Sequence, residues 1–574
     1  MSRVYSIVKY FALFAPLLFI IRCANPVSPS GGPKDEKPPV MTHSEPPLFQ
    51  TGFKEPRIRI WFDEFITLNK LNDFLLISPP MNEPPEITVR GKMLQIDLPD
   101  NLKEETTYNI YFGEAITDIT EGNPLTNFSF AFSTGPVIDS LTLAGKVVDA
   151  FTQEPVAGAA VMLYTNSNDT VPFDSLPVVV RPEFLTRTLS DGSFRFRNLP
   201  DNRFKLFALQ DANASLTWDN ITEPLGFADS LVRPWYDPEV YSSVAPDTSK
   251  APDSVIIRPV IPELPVIRMF TVRDTLQRRL SAEKTRKGLI TVVYKRPLLN
   301  PKVRNLPLID TLEWYIVQES GKSDTLQIWV PQETPDSLFF RITDASNLDD
   351  TIAVRMIEGG RKRKNQAKQD SLPPRIQPVY SRKPPVPGQS YHIGFPYPVT
   401  RMDTTRNWLF TEGDDTLAMP VVQWNDSVRL KLSVLHTWKQ GVRYKIVIPD
   451  SVFTDIRGMT HDTLRISFST RPPEELGSLI MNFSGIAEGE RIILELINDK
   501  KIIRRRVIDA PGEIKFEYLD PAKYRLRAIF DRNNNGEWDP GSYFDKIQPE
   551  EVRYFPKELQ VRANWDLSEN WKLD

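Results

Sequence analysis

The sequence predicts an all-β protein of tandem β-sandwich modules following a signal peptide. Three observations carry this. Apolar and polar residues alternate in short runs, as at Ile58, Ile60 and Phe62 or at Leu94, Ile96 and Leu98, and a period of two marks strands with one buried face. Prolines number 51 against 26 glycines, which suits strand edges and stiff connections rather than helices. Two stretches also recur in the same order toward the two ends of the chain, the mark of a repeated architecture. At 574 residues the chain exceeds the ~250–300 that one core supports, so several modules are expected.

The N-terminus has a basic start (Arg3, Lys9) and an apolar run from Tyr10 to Ile21, the length of a secretory signal core and short of the ~20 residues that span a bilayer. It leads to Cys23, the one cysteine in the sequence, which therefore has no intramolecular disulfide partner. The run Phe19-Ile20-Ile21-Arg22-Cys23, followed by Ala24-Asn25-Pro26, resembles a bacterial lipoprotein signal. That resemblance implies that residues 1–22 are removed and that Cys23 is acylated. Arg22 departs from the pattern, which places a small residue before the cysteine. Each buried methylene of an acyl chain contributes ~0.8 kcal/mol, so two chains would hold the protein on a membrane. Residues 23–39, rich in Pro, Gly and Ser, are expected to be a tether.

Residues 40–136 alternate through Ile58 to Phe62, Leu94 to Leu98, Tyr108 to Phe112 and Phe128 to Phe132. The strings Trp61-Phe62-Asp63-Glu64, Thr107-Tyr108, Ile116-Thr117-Asp118, Glu121-Gly122-Asn123 and Phe132-Ser133-Thr134-Gly135 resemble the Ig-like domain of bacterial surface-layer proteins. That family is structural or adhesive and implies no catalytic residues. Residues 141–235 contain Leu143-Ala144-Gly145-Lys146-Val147-Val148-Asp149, Pro155-Val156-Ala157-Gly158-Ala159 and Ser190-Asp191-Gly192-Ser193-Phe194, and resemble the carboxypeptidase-regulatory or transthyretin-like sandwich.

Gly192 to Asp219 aligns without gaps on Gly512 to Asp539, sharing Phe196/Phe516, Leu206/Leu526, Asp211/Asp531, Asn213/Asn533 and Trp218/Trp538. Tyr108, Thr117-Asp118-Ile119, Gly122 and Phe132-Ser133-Thr134 recur as Tyr444, Thr454-Asp455-Ile456, Gly458 and Phe468-Ser469-Thr470. A two-module unit is therefore expected to be duplicated, with a second Ig-like domain over 389–472 and a second transthyretin-like sandwich over 476–574. Residues 265–357 are expected to form a fifth sandwich of no recognised family, between linkers at 236–264 and 358–388.

Net charge is −4, which excludes a global electrostatic case for nucleic acid. The run Arg361-Lys362-Arg363-Lys364 reads as a solvated cluster within a linker. His43, His392, His436 and His461 are scattered without zinc-ligand spacing, and no Gly-x-Ser-x-Gly elbow or phosphate loop occurs. The adjacent acids Asp63-Glu64 and Asp349-Asp350 would face opposite sides of a strand and so make poor catalytic pairs. Recurrent Asp-Ser/Thr-aliphatic tripeptides, among them Asp139-Ser140-Leu141, Asp324-Thr325-Leu326, Asp415-Thr416-Leu417 and Asp462-Thr463-Leu464, resemble the O-glycosylation sequon of Bacteroidetes exported proteins. They equally suit a turn that opens a strand.

The candidate site is Asp531-Arg532-Asn533-Asn534-Asn535-Gly536-Glu537-Trp538-Asp539. Oxygen side chains at Asp531, Asn533, Asn535 and Asp539, with Glu537 beside them and glycine sixth, match an EF-hand-type calcium loop. Ser542 stands where the bidentate glutamate belongs, so weak Ca²⁺ binding is the only cofactor chemistry expected; the alternative is an Asn/Asp-rich turn. The whole looks like the Ig-like lipoproteins of Bacteroidetes. It implies a non-enzymatic lipoprotein of the cell envelope, held by its lipid on the outer membrane and acting as spacer or binding platform for an envelope protein or glycan. Two alternatives stay open: a carbohydrate-recognition component of a nutrient-uptake system, and a degenerate envelope enzyme.

Overall fold

The computed structural model describes residues 35–237 and 262–574, apart from 82, 100, 101, 166–170, 274, 275, 307–314, 320–323, 332–335, 357–374, 382–384 and 387. The signal peptide, Cys23 and the first part of the tether, most of the 236–264 linker and the Arg361–Lys364 run lie outside these residues. The described strands assemble into five sandwiches.

In the first, Met41–Glu45, Arg57–Phe62, Met93–Asp97 and Glu86–Arg90 form one sheet. Leu76–Ser78, Thr107–Gly113 and Phe128–Ser133 form the facing one, and Ile66–Leu68 pairs Ile116–Asp118. The alternating residues Ile58, Ile60, Leu94, Ile96, Ile110, Phe112, Phe130 and Phe132 interleave in the core without solvent exposure. The fourth sandwich follows the same path. Val379–Tyr380, Tyr391–Gly394, Lys431–Leu435 and Val421–Trp424 make one sheet, and Leu409–Glu412, Arg443–Ile448 and Leu464–Ser469 the other, with Asp415–Leu417 added at its edge. Val399–Met402 pairs Phe453–Asp455 as Ile66–Leu68 pairs Ile116–Asp118.

The second and fifth sandwiches also share a path. Ser193–Leu199, Leu141–Asp149 and Val266–Met269 correspond to Gly512–Leu519, Gly477–Ser484 and Asp566–Lys572. Phe184–Arg187, Ala160–Tyr164, Lys205–Leu209 and Leu225–Phe227 correspond to Lys501–Ile508, Ile492–Asn498, Ala522–Phe530 and Val552–Tyr554. The third sandwich sets Arg279–Arg286, Leu289–Tyr294, Thr325–Trp329 and Ile316–Glu319 over Lys302–Leu306, Ser337–Thr343 and Asp349–Arg355.

Two expected boundaries are corrected. Val266–Met269 belongs to the second sandwich, not to a module starting at 265, because it pairs in parallel with Lys146–Asp149 and buries Ile267 and Met269 in that core. A parallel partner arrives through a long crossover, so adjacency in sequence misassigns it. The linker expected over 358–388 ends before residue 375, because Ile376 is buried in the fourth core and Val379–Tyr380 joins its sheet.

The repeated residues form the hydrogen-bond skeleton of the modules. Tyr108 Oη accepts from Lys103 N at 2.9 Å and Tyr444 Oη from Lys439 N at 2.8 Å. Thr134 Oγ1 donates to Lys103 O at 2.7 Å and Thr470 Oγ1 to Lys439 O at 2.6 Å. Buried Asp118 accepts from the N–H groups of Glu121, Gly122 and Asn123, while buried Asp455 accepts from those of Arg457 and Met459. A buried carboxylate satisfied this way closes a turn that would otherwise leave orphan donors.

Neighbouring modules touch through specific side chains. Asn109 Nδ2 donates to Asn198 Oδ1 at 2.8 Å between the first and second. Buried Tyr397 of the fourth packs against Leu289 and Trp329 of the third, with the Arg457 guanidinium 3.9 Å from its ring.

His461 in the fourth core is fully buried; its Nε2 accepts from Phe453 N at 3.0 Å and its Nδ1 lies 2.7 Å from Asp462 O. That geometry requires a neutral ring protonated on Nδ1, and burial pushes its pKa from 6.5 down to about 4 while nearby Asp450 raises it. A depressed histidine leaves the fold stable above its unfolded pKa and removes that stability as pH falls through the folded one. Acid titration of the full chain from pH 6.5 to below 4 is therefore expected to remove roughly 3 kcal/mol from this module. Comparing His461→Gln with the parent by chemical denaturation checks this: the variant should lose less stability over that interval, and parallel curves would contradict it.

Candidate functional site

The Asp531–Asp539 loop joins Ala522–Phe530 to Val552–Tyr554 at one end of the fifth sandwich. Asp531 is buried; its Oδ1 accepts from Asn535 N at 3.1 Å and its Oδ2 from Gly536 N at 2.9 Å. Asn533 Oδ1 accepts from Asn535 N at 3.0 Å, and the amides of Asn533 and Asn535 both donate to Asp539 Oδ2 at 2.5 Å. Glu537 is exposed, and its N–H donates to Asn535 Oδ1 at 2.7 Å. Gly536 has φ 81°, the left-handed backbone its place in the turn requires.

A carboxylate that sequence spacing missed enters from outside the loop. Glu550 is buried and accepts from Arg532 N at 2.7 Å and Asp539 N at 3.0 Å. Burial raises its pKa, and the charges of Asp539 and Asp531 raise it further, so the three acids share one electrostatic neighbourhood. Two guanidinium groups balance them: Arg491 Nε lies 3.6 Å from Asp531 and Arg273 Nη1, from the chain after the second sandwich's last strand, lies 2.8 Å from Asp539.

The first copy is built alike. Asp211 accepts from Ser215 N and Leu216 N, Asn213 donates to Asp219, and buried Glu223 accepts from Ala212 N at 3.0 Å. Leu216 takes the glycine position at φ 60°, a strained place for a branched side chain. Aspartate thus stitches the turn in both copies. Glu550 escapes a gapless alignment because ten residues separate it from Asp539, where three separate Glu223 from Asp219.

The other candidates stay apart. His43 stacks on Trp61 at 4.3 Å, His392 bonds Ser433 at 3.0 Å and His436 lies 3.3 Å from Glu412. Among the described residues no group of three or more His, Cys, Asp or Glu is placed to hold a metal ion. Of the adjacent acids, Asp63 accepts from Val40 N, Asp349 pairs Arg341, and Asp350 accepts from Tyr294 Oη at 3.0 Å, so these three serve separate neighbours. In the Asp-Ser/Thr-aliphatic tripeptides Leu141, Leu326 and Leu417 lie in strands and Leu464 begins one, with Ser140 and Thr416 exposed. A shallow groove on the fifth sandwich is lined by Tyr518, Asn564, Trp565, Asp566, Lys515 and Glu517, and Trp565 is 63% exposed there.

No curated protein matches the chain. Among solved structures it is similar to BcpA, the major pilin subunit of Bacillus cereus (11% identity, 75% of this chain, 99% of that chain, TM-score 0.13). It is also similar to SGBP-B of the Bacteroides ovatus mixed-linkage glucan utilization locus in complex with a mixed-linkage heptasaccharide (8%, 74%, 97%, 0.17), and to the S-layer protein rSbsC(31-844) (10%, 91%, 67%, 0.13). Likenesses at this level carry no argument about function. The specific match is at the N-terminal end, where residues 35–134, the first sandwich, match the bacterial Ig-like domain family.

Proposed function

We propose that this protein is a non-enzymatic lipoprotein of the cell envelope, anchored through Cys23 and presenting its sandwiches as a binding platform. The observation that carries the reading is the Ig-like match over residues 35–134, whose strand path returns in the fourth sandwich. Ig-like modules recognise partners with surfaces and loops and bring no reaction of their own. The apolar run before Cys23 supports export and acylation. Replacing Cys23 by Ser should move the protein from the membrane to the soluble fraction on fractionation, or leave a longer precursor. Normal processing with full membrane retention would remove the anchor from this account.

The groove around Trp565 favours a second reading, carbohydrate recognition. An exposed indole beside Tyr518, flanked by Asp566, Asn564 and Glu517, combines a stacking face with hydrogen-bonding groups suited to a sugar ring. Trp565→Ala should abolish retardation of the protein in gels containing soluble envelope or plant polysaccharides. Equal mobility of parent and variant with every polysaccharide would leave the first reading alone.

Weak Ca²⁺ binding at Asp531, Asn533, Asn535, Glu537 and Asp539 belongs to the same proposal. Glu550 brings a further carboxylate, whereas Arg273 would have to leave Asp539, which keeps affinity in the ~10⁻⁴–10⁻³ M range. Millimolar Ca²⁺ should raise the melting temperature of the full chain, and the increment should vanish in Asp531→Ala and in the gentler Asn533→Ala. An increment that survives both substitutions, or none in the parent, would leave the loop a turn.

A further inference from the structure

The second and fifth sandwiches share one strand path, so the places where they differ are additions to a common plan. Between Ala160–Tyr164 and Phe184–Arg187 run residues 165–183, nineteen residues, where the fifth sandwich turns with Asp499-Lys500 alone. The fifth makes its own addition at 540–549, ten residues between Asp539 and Glu550. The two additions meet. Lys546 Nζ lies 2.8 Å from Asp174 Oδ2, joining a residue of each.

The centre of the contact is Tyr543. It is 4% exposed, seated among Met162, Tyr164, Leu176, Phe207, Phe227 and Phe270 of the second sandwich. Its ring stands edge-on to Phe207 at 5.2 Å and to Phe227 at 5.3 Å, with Lys205 Nζ 5.3 Å from its centroid. Gly541 passes so close that a Cβ there would lie 2.6 Å from the Phe270 ring. Gln548 Nε2 donates to Phe227 O at 3.0 Å. In return Phe151 of the second sandwich packs 4.9 Å from Trp538 and lies 4.1 Å from the Arg527 guanidinium of the fifth.

We propose that these additions form an intramolecular clasp, in which residues 540–549 are the built-in partner of the outer face of the second sandwich and closing them joins the two ends of the duplicated chain. Within the first addition Val171, Phe173, Leu176, Val178 and Val180 build the rim of the seat, and the 540–549 hairpin fills it.

Hydrogen exchange on the full chain tests this. Tyr543→Ala should raise exchange by more than about tenfold in Ala160–Tyr164 and Lys205–Leu209, strands over three hundred residues away in sequence, while Gly477–Ser484 in the fifth sandwich keeps its protection. Ile502→Ala, at a side chain of the fifth sandwich that is 51% exposed and outside the contact, should change neither. Lys546→Glu lies on the surface and leaves its own core intact, but sets two carboxylates together and should raise exchange in the same distant strands by a smaller factor. Unchanged exchange in those strands in both Tyr543→Ala and Lys546→Glu would overturn the proposal. So would protection that rises with protein concentration alongside dimers in light scattering, since the seat would then be filled by a second copy.

Discussion

Strands Ala160–Tyr164 and Lys205–Leu209 have no solvent side. Val161, Leu163, Leu206 and Ala208 face the core of their own sandwich, while Met162, Tyr164, Phe207 and Leu209 face outward and are equally buried. A sheet apolar on both faces needs a cover on each, because an uncovered outer face would leave several large side chains in water. The cover comes from Phe173 and Leu176 nearby and from Tyr543 at the far end of the chain. The relation between the two ends therefore follows from the composition of one sheet. The fifth sandwich answers differently: its outer face carries the buried Glu495–Arg527 pair, which Phe151 covers.

The duplicated unit has kept what closes its turns. Tyr108 and Tyr444, Thr134 and Thr470, Asp118 and Asp455, and Asp211 and Asp531 perform matching backbone contacts in the two halves. Such contacts cannot drift singly, since losing one partner strands a buried donor. The outer faces and loops differ more in character, as where Met162 and Phe207 of one copy stand against Glu495 and Arg527 of the other.

This explains what was legible in the sequence. Period-two alternation marks the core of the first sandwich, where strands such as Arg57–Phe62 alternate in burial, and the fourth is marked by its recurrence of the first. Ala160–Tyr164 gave no such period because both its faces are dry. Val266–Met269 reads as part of the following module because parallel pairing leaves no local mark, and Ile376 reads as linker because of the proline-rich sequence around it. At the Asp531 loop the ligand-like oxygens were plain, whereas Glu550 and Arg273 reach it only through the fold. Nothing in the spacing of Tyr543 indicated that its seat lies in another module.

A chain whose second and fifth sandwiches are joined presents its modules in a defined mutual arrangement, which suits a platform better than an extensible spacer. The contacts at Asn109–Asn198 and at Tyr397 add to that arrangement. The most direct measurement is a spin-label distance in the Cys23→Ser background between Val179, 60% exposed on the first addition, and Phe544, 64% exposed on the second. The account predicts one short, narrow distance that is independent of protein concentration. A broad distribution, as two modules tethered through a linker would give, would contradict it.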